Sequence, residues 1–311
     1  MKVLIVGGTG FVGHHIVRKM LAHGHDVAVL ARNEPETPSA ATVHLGDVQR
    51  LSDCELAELV ADREAVVYAA AAAVQAPVGT DIDAELTAAT VDPAVRLLTA
   101  ARQAGCDRAV LLGSYYLALH RQHPEWRLPE GSAYIRSRLR QSVLTRAAAG
   151  DSLALATLEL PFVLGATPGR TAAVAPLVRN MAQGKDVVVF PGGTAVATVD
   201  EVADATIAAL ELRADGDFPV VTANLGWDEF LRRLAVQGGH TPSRVWRLNR
   251  WQTTALFRLL ALAQRRQGLQ PGYTSASLGM IHSTDLFLDV SLPFGVKQAD
   301  LDEALRATAV G

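Results

Sequence analysis

The sequence is poor in cysteine, in aromatic residues and in long apolar runs. Its two cysteines, Cys54 and Cys106, make neither a disulfide framework nor a zinc set. No uninterrupted apolar stretch reaches the roughly 18 residues that a membrane-crossing helix needs. The apolar start at residues 3–6 is broken by glycines before it attains the length of a signal-peptide core. Basic excess is missing as well: 29 Lys and Arg stand against 32 Asp and Glu, a net charge of −3. Nucleic acid is therefore not an expected partner, and no cluster of lysines and arginines marks a membrane surface. There is no internal repeat, no charge run and no G-x-S-x-G elbow of a serine hydrolase. With 49% hydrophobic and 20% charged residues, a globular chain remains, expected in the cytoplasm and large enough for two lobes sharing a cleft.

Nine histidines invite a metal reading. His14 and His15 point to different faces of one helix, and His23 and His25 lie near a surface turn. Metal ligands must converge, so no metal is expected.

What the chain has is alternation. Strands are expected at residues 3–6, 27–30, 42–45, 65–69, 109–112 and 153–160, with the alanine-rich patch 69–74 as a strand end. Helical patterns fall at 11–23, 51–61, 84–104 and 133–149. This order predicts an α/β fold, a doubly wound parallel sheet of the Rossmann kind, with its ligand beyond the carboxyl ends of the strands. After Pro161 the pattern loosens: a helix at 172–183, a strand at 186–190, a helix at 199–212, and a strand at 219–223 returning to the sheet. Residues 227–311 read as mostly helical and carry Trp246, Arg247, Trp251, Phe257, Arg265 and Arg266. Residues 1–165 are expected to bind a dinucleotide, with 195–224 returning to that domain. Residues 166–194 and 225–311 are expected to form a smaller, mostly helical C-terminal substrate lobe. The apolar residues of 251–264 suit a greasy pocket or a subunit contact.

The most informative stretch is Val3-Leu4-Ile5-Val6-Gly7-Gly8-Thr9-Gly10-Phe11-Val12-Gly13. An apolar strand runs into glycines at 7, 10 and 13 and then into a helical pattern. Such glycines permit a tight turn, let the backbone approach a pyrophosphate and pack helix on strand. The helix start then turns free N–H groups and its positive dipole end toward that phosphate. Gly7, Thr9, Gly10, Phe11, Val12 and Gly13 are the expected cradle. Where NAD-binding folds place a ribose-binding carboxylate, at the end of the second strand, this chain has Ala31 followed by Arg32. A missing carboxylate removes repulsion from a 2′-phosphate and an arginine clamps it, so NADP is expected, with NAD as the alternative. Asp47, in Gly46-Asp47-Val48, suits a contact to adenine, with Val48 beside it. Ala70 and Pro161 complete the expected cofactor contacts.

A second constellation is Tyr134-Ile135-Arg136-Ser137-Arg138 at a helix start. Residues four apart share a face, and a cation beside a phenol favours phenolate, which suits an acid or base. Ser114, after the strand at 109–112, is placed to hydrogen-bond a carbonyl.

With these residues in view, the chain resembles the extended short-chain dehydrogenase/reductases, which include the NAD(P)-dependent epimerase/dehydratases and the dihydroflavonol and 3β-hydroxysteroid types. The glycine loop, Gly46-Asp47, Ser114, Tyr134-x-x-Ser137-Arg138, Leu160 to Gly165 and Val199 to Ala203 carry the resemblance, over most of residues 1–224. It implies that Ser114 polarises a substrate carbonyl and that Tyr134 moves the proton. Arg138 would depress the tyrosine pKa and touch the nicotinamide ribose, and the nicotinamide would deliver hydride. Residues 115–131, with Tyr115, Tyr116, His120, Arg121, His123, Trp126 and Arg127, would wall the substrate pocket. Arg170, Arg179 and Arg247 would suit an anionic substrate of the epimerase or dehydratase kind, and family habit implies a homodimer. The chain departs from the family pattern in having Arg138 for lysine, Asp92 for an asparagine, Ser142 for a glutamate and Leu160 for an arginine. Three functions stay open: an NADP-dependent oxidoreductase acting on a mid-sized metabolite, an epimerase or dehydratase of the sugar-nucleotide kind, and a dinucleotide sensor without turnover.

Overall fold

The computed structural model describes residues 1–35, 39–70, 81–170, 174–239, 244–266 and 273–310. Strands β1 (Lys2–Val6), β2 (Asp26–Ala31), β3 (Thr42–Leu45), β4 (Ala65–Tyr68), β5 (Arg108–Ser114) and β6 (Ala154–Leu160) pair in parallel, in the order β3-β2-β1-β4-β5-β6. The order reverses between β1 and β4, the topological switch point where such sheets bind ligands. β1 shows why the elements form. Val3 and Ile5 pack with Ile16, Met20 and Val29 on one face, while Leu4 and Val6 pack with Leu56, Leu97 and Leu98 on the other. A strand buried on both faces needs no polar alternation and reads as one apolar run. Each such side chain removed from water contributes about 1.5–3 kcal/mol.

Helices α1 (Gly13–Ala22), α2 (Asp53–Val60), α3 (Ile82–Leu86), α4 (Asp92–Gln103), α5 (Tyr116–Gln122) and α6 (Ala133–Ala149) connect these strands or follow β5. The helix expected at 84–104 is in three parts, because a π-helical turn at Thr87–Val91 lies between α3 and α4. α6 matches its expected bounds, with Ser132 capping it by accepting from the Ile135 amide.

Pro161 has no N–H to continue a ladder, and the chain leaves the main sheet there. β7 (Phe162–Leu164) pairs instead with β9 (Gly193–Thr198), which follows α7 (Ala175–Ala182) and β8 (Val187–Val189). From β9 the chain enters α8 (Val199–Glu211), which packs back onto the main core through Val202 and Ile207. The strand returning to the main sheet is β10 (Gly216–Pro219), beside β6. It ends where the expected strand 219–223 was to begin, and β11 (Ala223–Gly226) belongs to the second sheet, antiparallel to β9. The buried Glu201 explains the crossing: its carboxylate accepts from Thr198, from the Thr222 hydroxyl and from the Ala299 amide, tying three segments together.

The remainder holds α9 (Trp227–Gly238), β12 (Val245–Arg247), α10 (Arg250–Arg266), α11 (Ser275–Ser283), β13 (Asp285–Leu286) and α12 (Leu301–Val310). It is mostly helical, as expected, but its helices pack around a four-stranded sheet of β7, β9, β11 and β13, and β12 pairs with β8. Residues 71–74 of the expected strand end and 172–173 of the expected helix lie outside the described residues. No helix among the described residues is long and apolar enough to cross a membrane.

Candidate active site

A cleft of about 430 Å³ opens at the carboxyl ends of β1, β2, β4 and β5. Its first wall is backbone. Gly7 adopts φ +87°, and a Cβ there would stand 2.8 Å from the Ala70 nitrogen. A Cβ on Gly13 would stand 2.1 Å from the Gly7 carbonyl oxygen. Only glycine lets β1 and α1 approach this closely. The Gly10 amide donates to the Gly7 carbonyl at 2.9 Å, closing the turn. No side chain caps α1, and the amides of Phe11 and Val12 find no acceptor among the described residues. Donors left over at a helix start make a cradle for a phosphate.

A strap crosses this loop. The Thr167 hydroxyl donates to the Phe11 carbonyl at 2.7 Å, and His15 Nε2 lies 3.0 Å from both Ala166 O and Thr167 Oγ1. Arg170 Nε donates to the Thr9 carbonyl at 2.8 Å. Along the same wall, Ala31 and the exposed Arg32 follow β2, and Arg32 has no ion-pair partner among the described residues. Asp47 uses Oδ1 to accept from the Gln49 amide at 3.1 Å, which orders the turn after β3.

The second wall is made of side chains. α6 presents Tyr134 and Arg138 to the cleft, one turn apart, and Ser114 ends β5 beside them. The Arg138 side chain is buried, with Nη2 donating to the Leu112 carbonyl at 2.6 Å and Nε without an acceptor among the described residues. Gln141, on the same face, donates to the Thr90 carbonyl at 2.6 Å and so holds the π-helical turn against the cleft. The family of tyrosines is gathered here: Tyr68 and Tyr134 line the cleft, and Tyr116 and Tyr273 pack their rings 6.4 Å from that of Tyr134. Burial pushes the phenols of Tyr68, Tyr115, Tyr116 and Tyr273 above their usual range. These four hydroxyls therefore stay neutral around pH 7.

Residues 3–224 match the model of the NAD dependent epimerase/dehydratase family. The chain belongs to that family. Its seven-stranded parallel sheet is the fold that the resemblance to the extended short-chain dehydrogenase/reductases implied. Among solved structures, MoeE5 in complex with UDP-glucuronic acid and NAD is similar over 99% of this chain and 98% of its own, with a TM-score of 0.71 and 19% identity. The polyketide synthase GfsA of Streptomyces halstedii is 35% identical over 133 residues, 36% of this chain and 2% of that protein. A 3-diazoavenalumate denitrifying reductase of a Streptomyces species is 37% identical over 73 residues, 24% of this chain and 20% of the other. The matched segments thus span a small part of these curated relatives.

In this epimerase/dehydratase-family chain the cleft collects Gly7, Thr9, Gly10, Phe11, Val12, Arg32, Asp47, Val48, Ala70, Ser114, Tyr134, Arg138, Pro161 and Arg170. Gly13 stays behind the loop as its packing glycine. Other expectations fall elsewhere. Tyr115 lies in the core, its hydroxyl 3.2 Å from Thr194 Oγ1, and Tyr116 reaches the site only through the edge of the Tyr134 ring. Arg121 is spent on a bidentate pair with the buried Glu159, both contacts at 2.7 Å. His123 stacks on Trp126, and Arg127 pairs with Glu130. These residues do not line the cleft. Asp92 is exposed at the start of α4, whereas Ala89 and Thr90 reach the cleft. The sequence reading missed Thr90, Tyr68 and Gln141. Only the i, i+4, i+7 spacing of Tyr134, Arg138 and Gln141 signalled any of them.

Remote from the cleft, His23, His25 and Glu211 bring ligand atoms within 4.8 Å of one another. Glu211 lies within 3.8 Å of both imidazoles, and His25 Nδ1 lies 3.2 Å from the N-terminal nitrogen. Around the cleft itself, the Cβ-free cradle, the unpaired loop amides and the unpaired Arg138 Nε fit a dinucleotide.

Proposed function

We propose that this chain is an NADP-dependent oxidoreductase that interconverts a carbonyl and a secondary alcohol on a mid-sized metabolite. One observation carries the reading: Ser114, Tyr134 and Arg138 share a cleft with the glycine loop and Arg32. When bound, the nicotinamide supplies or accepts a hydride. Ser114 hydrogen-bonds the substrate oxygen, and Tyr134 gives or takes its proton. Arg138, fixed on the Leu112 carbonyl, keeps a positive charge beside the developing oxyanion. Arg32 holds the 2′-phosphate through paired N–H donors, and no carboxylate at Ala31 repels it. Thr9, Phe11, Val12, Asp47, Val48, Ala70 and Pro161 contact the rest of the dinucleotide. On this reading residues 1–165 with 195–224 serve the cofactor, and the other segments serve the substrate.

The experiment is a fluorescence titration of the protein with NADPH and with NADH, repeated on Arg32→Ala. A preference for NADPH that disappears in the variant supports the assignment. A preference for NADH overturns it.

A second reading is favoured by the strap of Thr167, Arg170 and His15. A covered loop slows release of its ligand, as an epimerase or dehydratase with transient oxidation requires. Nucleotide that stays with the protein through gel filtration selects this reading. Free exchange of NADPH selects the first.

A further inference from the structure

From residue 230 to residue 284 the chain holds eight arginines and no aspartate or glutamate, although its overall net charge is −3. The arginines are dispersed in sequence, which is why no basic cluster was evident there. The fold draws the segment together. β12 pairs with β8, setting Trp246 beside Val188, and both are exposed. Phe257 of α10 stacks 5.6 Å from Phe190, which follows β8, so α10 adjoins the same face.

α10 is polarised in an unusual sense. Thr253 is buried and Phe257 faces the aromatic cluster with His282, so the polar–apolar rule would give the opposite side to polar residues. Instead the outward arc carries Trp251, Arg258, Leu259, Leu262 and Arg266, with Trp251 70% and Leu259 67% exposed. Neither Arg258 nor Arg266 has an ion-pair partner among the described residues. An apolar cavity of about 230 Å³, lined by Val188, Phe190, Trp227 and His282, lies beneath the same face.

We infer that this face docks onto an anionic lipid bilayer, with Trp251, Leu259 and Leu262 entering the interfacial layer and Arg258 and Arg266 meeting headgroup phosphates, whereas Arg233 and Arg247 are held by Glu229 and Asp228. Large protruding apolar residues interleaved with arginine, on a helix too short and too charged to span, are what such a surface recognises. Asp186 and Asp228 sit at the β12 edge, bonded to Trp246 and Arg247, but α10 itself carries no carboxylate. A second copy of this chain is therefore a poor occupant: a twofold contact over α10 would set its arginines against themselves. An acidic protein would satisfy the arginines, but protruding tryptophans and leucines need a partner with deep apolar depth.

The test is co-sedimentation of the full chain with vesicles of phosphatidylcholine alone and of phosphatidylcholine mixed equally with phosphatidylglycerol. Binding is expected to the mixed vesicles only, with a blue shift of tryptophan emission and loss in high salt. Arg258→Gln is expected to lower the partition coefficient about fivefold, and Trp251→Ser with Leu259→Ser to abolish sedimentation. Circular dichroism melting, unchanged in these variants, separates lost docking from lost folding. Absence of sedimentation with the mixed vesicles at low salt overturns the inference. So does binding that the Trp251/Leu259 variant retains, or a dimer in gel filtration that the same variant dissociates while vesicles are ignored.

Discussion

The two walls of the cleft are built from different materials. The wall at the glycine loop is backbone: amides without acceptors, a carbonyl closing a turn, and no Cβ at Gly7 or Gly13. The wall at α6 is side chains, and it buries polar ones. Ser137, Arg138, Gln141 and Thr145 are all buried, with Arg138 and Gln141 donating to backbone carbonyls of other elements. A backbone wall is set by what is left out of the sequence, and it tolerates almost no addition. A side-chain wall is set by what is put in: Ser137 and Thr145 bond back to their own helix, while Arg138 and Gln141 depend on partners far along the chain. The first kind positions a ligand, while the second kind is able to move a proton.

The comparison sharpens most on Tyr134. Tyr134→Phe is expected to cut turnover by about 10²–10⁴-fold, with NADPH affinity unchanged in fluorescence titration. Gly13→Ala should do the reverse. Its Cβ meets the Gly7 carbonyl oxygen, and strain of about 1–3 kcal/mol should weaken dinucleotide binding by about 10- to 100-fold. Gly226→Ala, where a Cβ meets nothing within 4 Å, is its control and should bind normally. Arg138→Met leaves the buried Leu112 carbonyl without its donor, and denaturant unfolding should show a loss of about 2 kcal/mol. If that variant is as stable as the parent, α6 is not a wall held by its buried polar contacts. Arg32→Ala acts at the rim and should cost NADPH about tenfold in affinity, leaving NADH untouched.

The smallest effect is in pH. His15, which anchors the strap to α1, has its pKa held below 6.5, first by burial and only partly offset by the Ala166 carbonyl and Asp200. Between the folded value and 6.5 the unfolded chain takes up a proton that the folded chain refuses. Stability is therefore full above pH 6.5 and declines as pH falls through the folded value. His14, His25 and His282 shift in the same direction. Thermal melts of His15→Gln should show a shallower decline over that range, though not a flat one.

Legibility divided along the same line as the walls. The loop from Gly7 to Gly13, Arg32 and Asp47 line or back the cleft, and they were readable because a strand, a turn and the next helix are local. Tyr134 and Arg138 were readable together because one helix turn joins them. Asp92 stands where the resemblance puts an asparagine, yet Thr90 is the residue that reaches the cleft, since a π-helical turn before α4 shifts which residues face inward. Arg121 was assigned to a substrate wall, yet Glu159, distant in sequence, claims it. Tyr115 was given to substrate and went to the core, for its hydroxyl finds Thr194.

By itself the sequence determined the parallel sheet, its order of strands and helices, and the glycine cradle, since apolar runs and missing Cβ atoms act over a few neighbouring residues. Only the tertiary structure decided that Arg170 straps the loop, that Gln141 holds Thr90 and that α10 turns tryptophan and leucine outward. Each of those depends on contacts between segments far apart in the chain, and no local spacing encodes them.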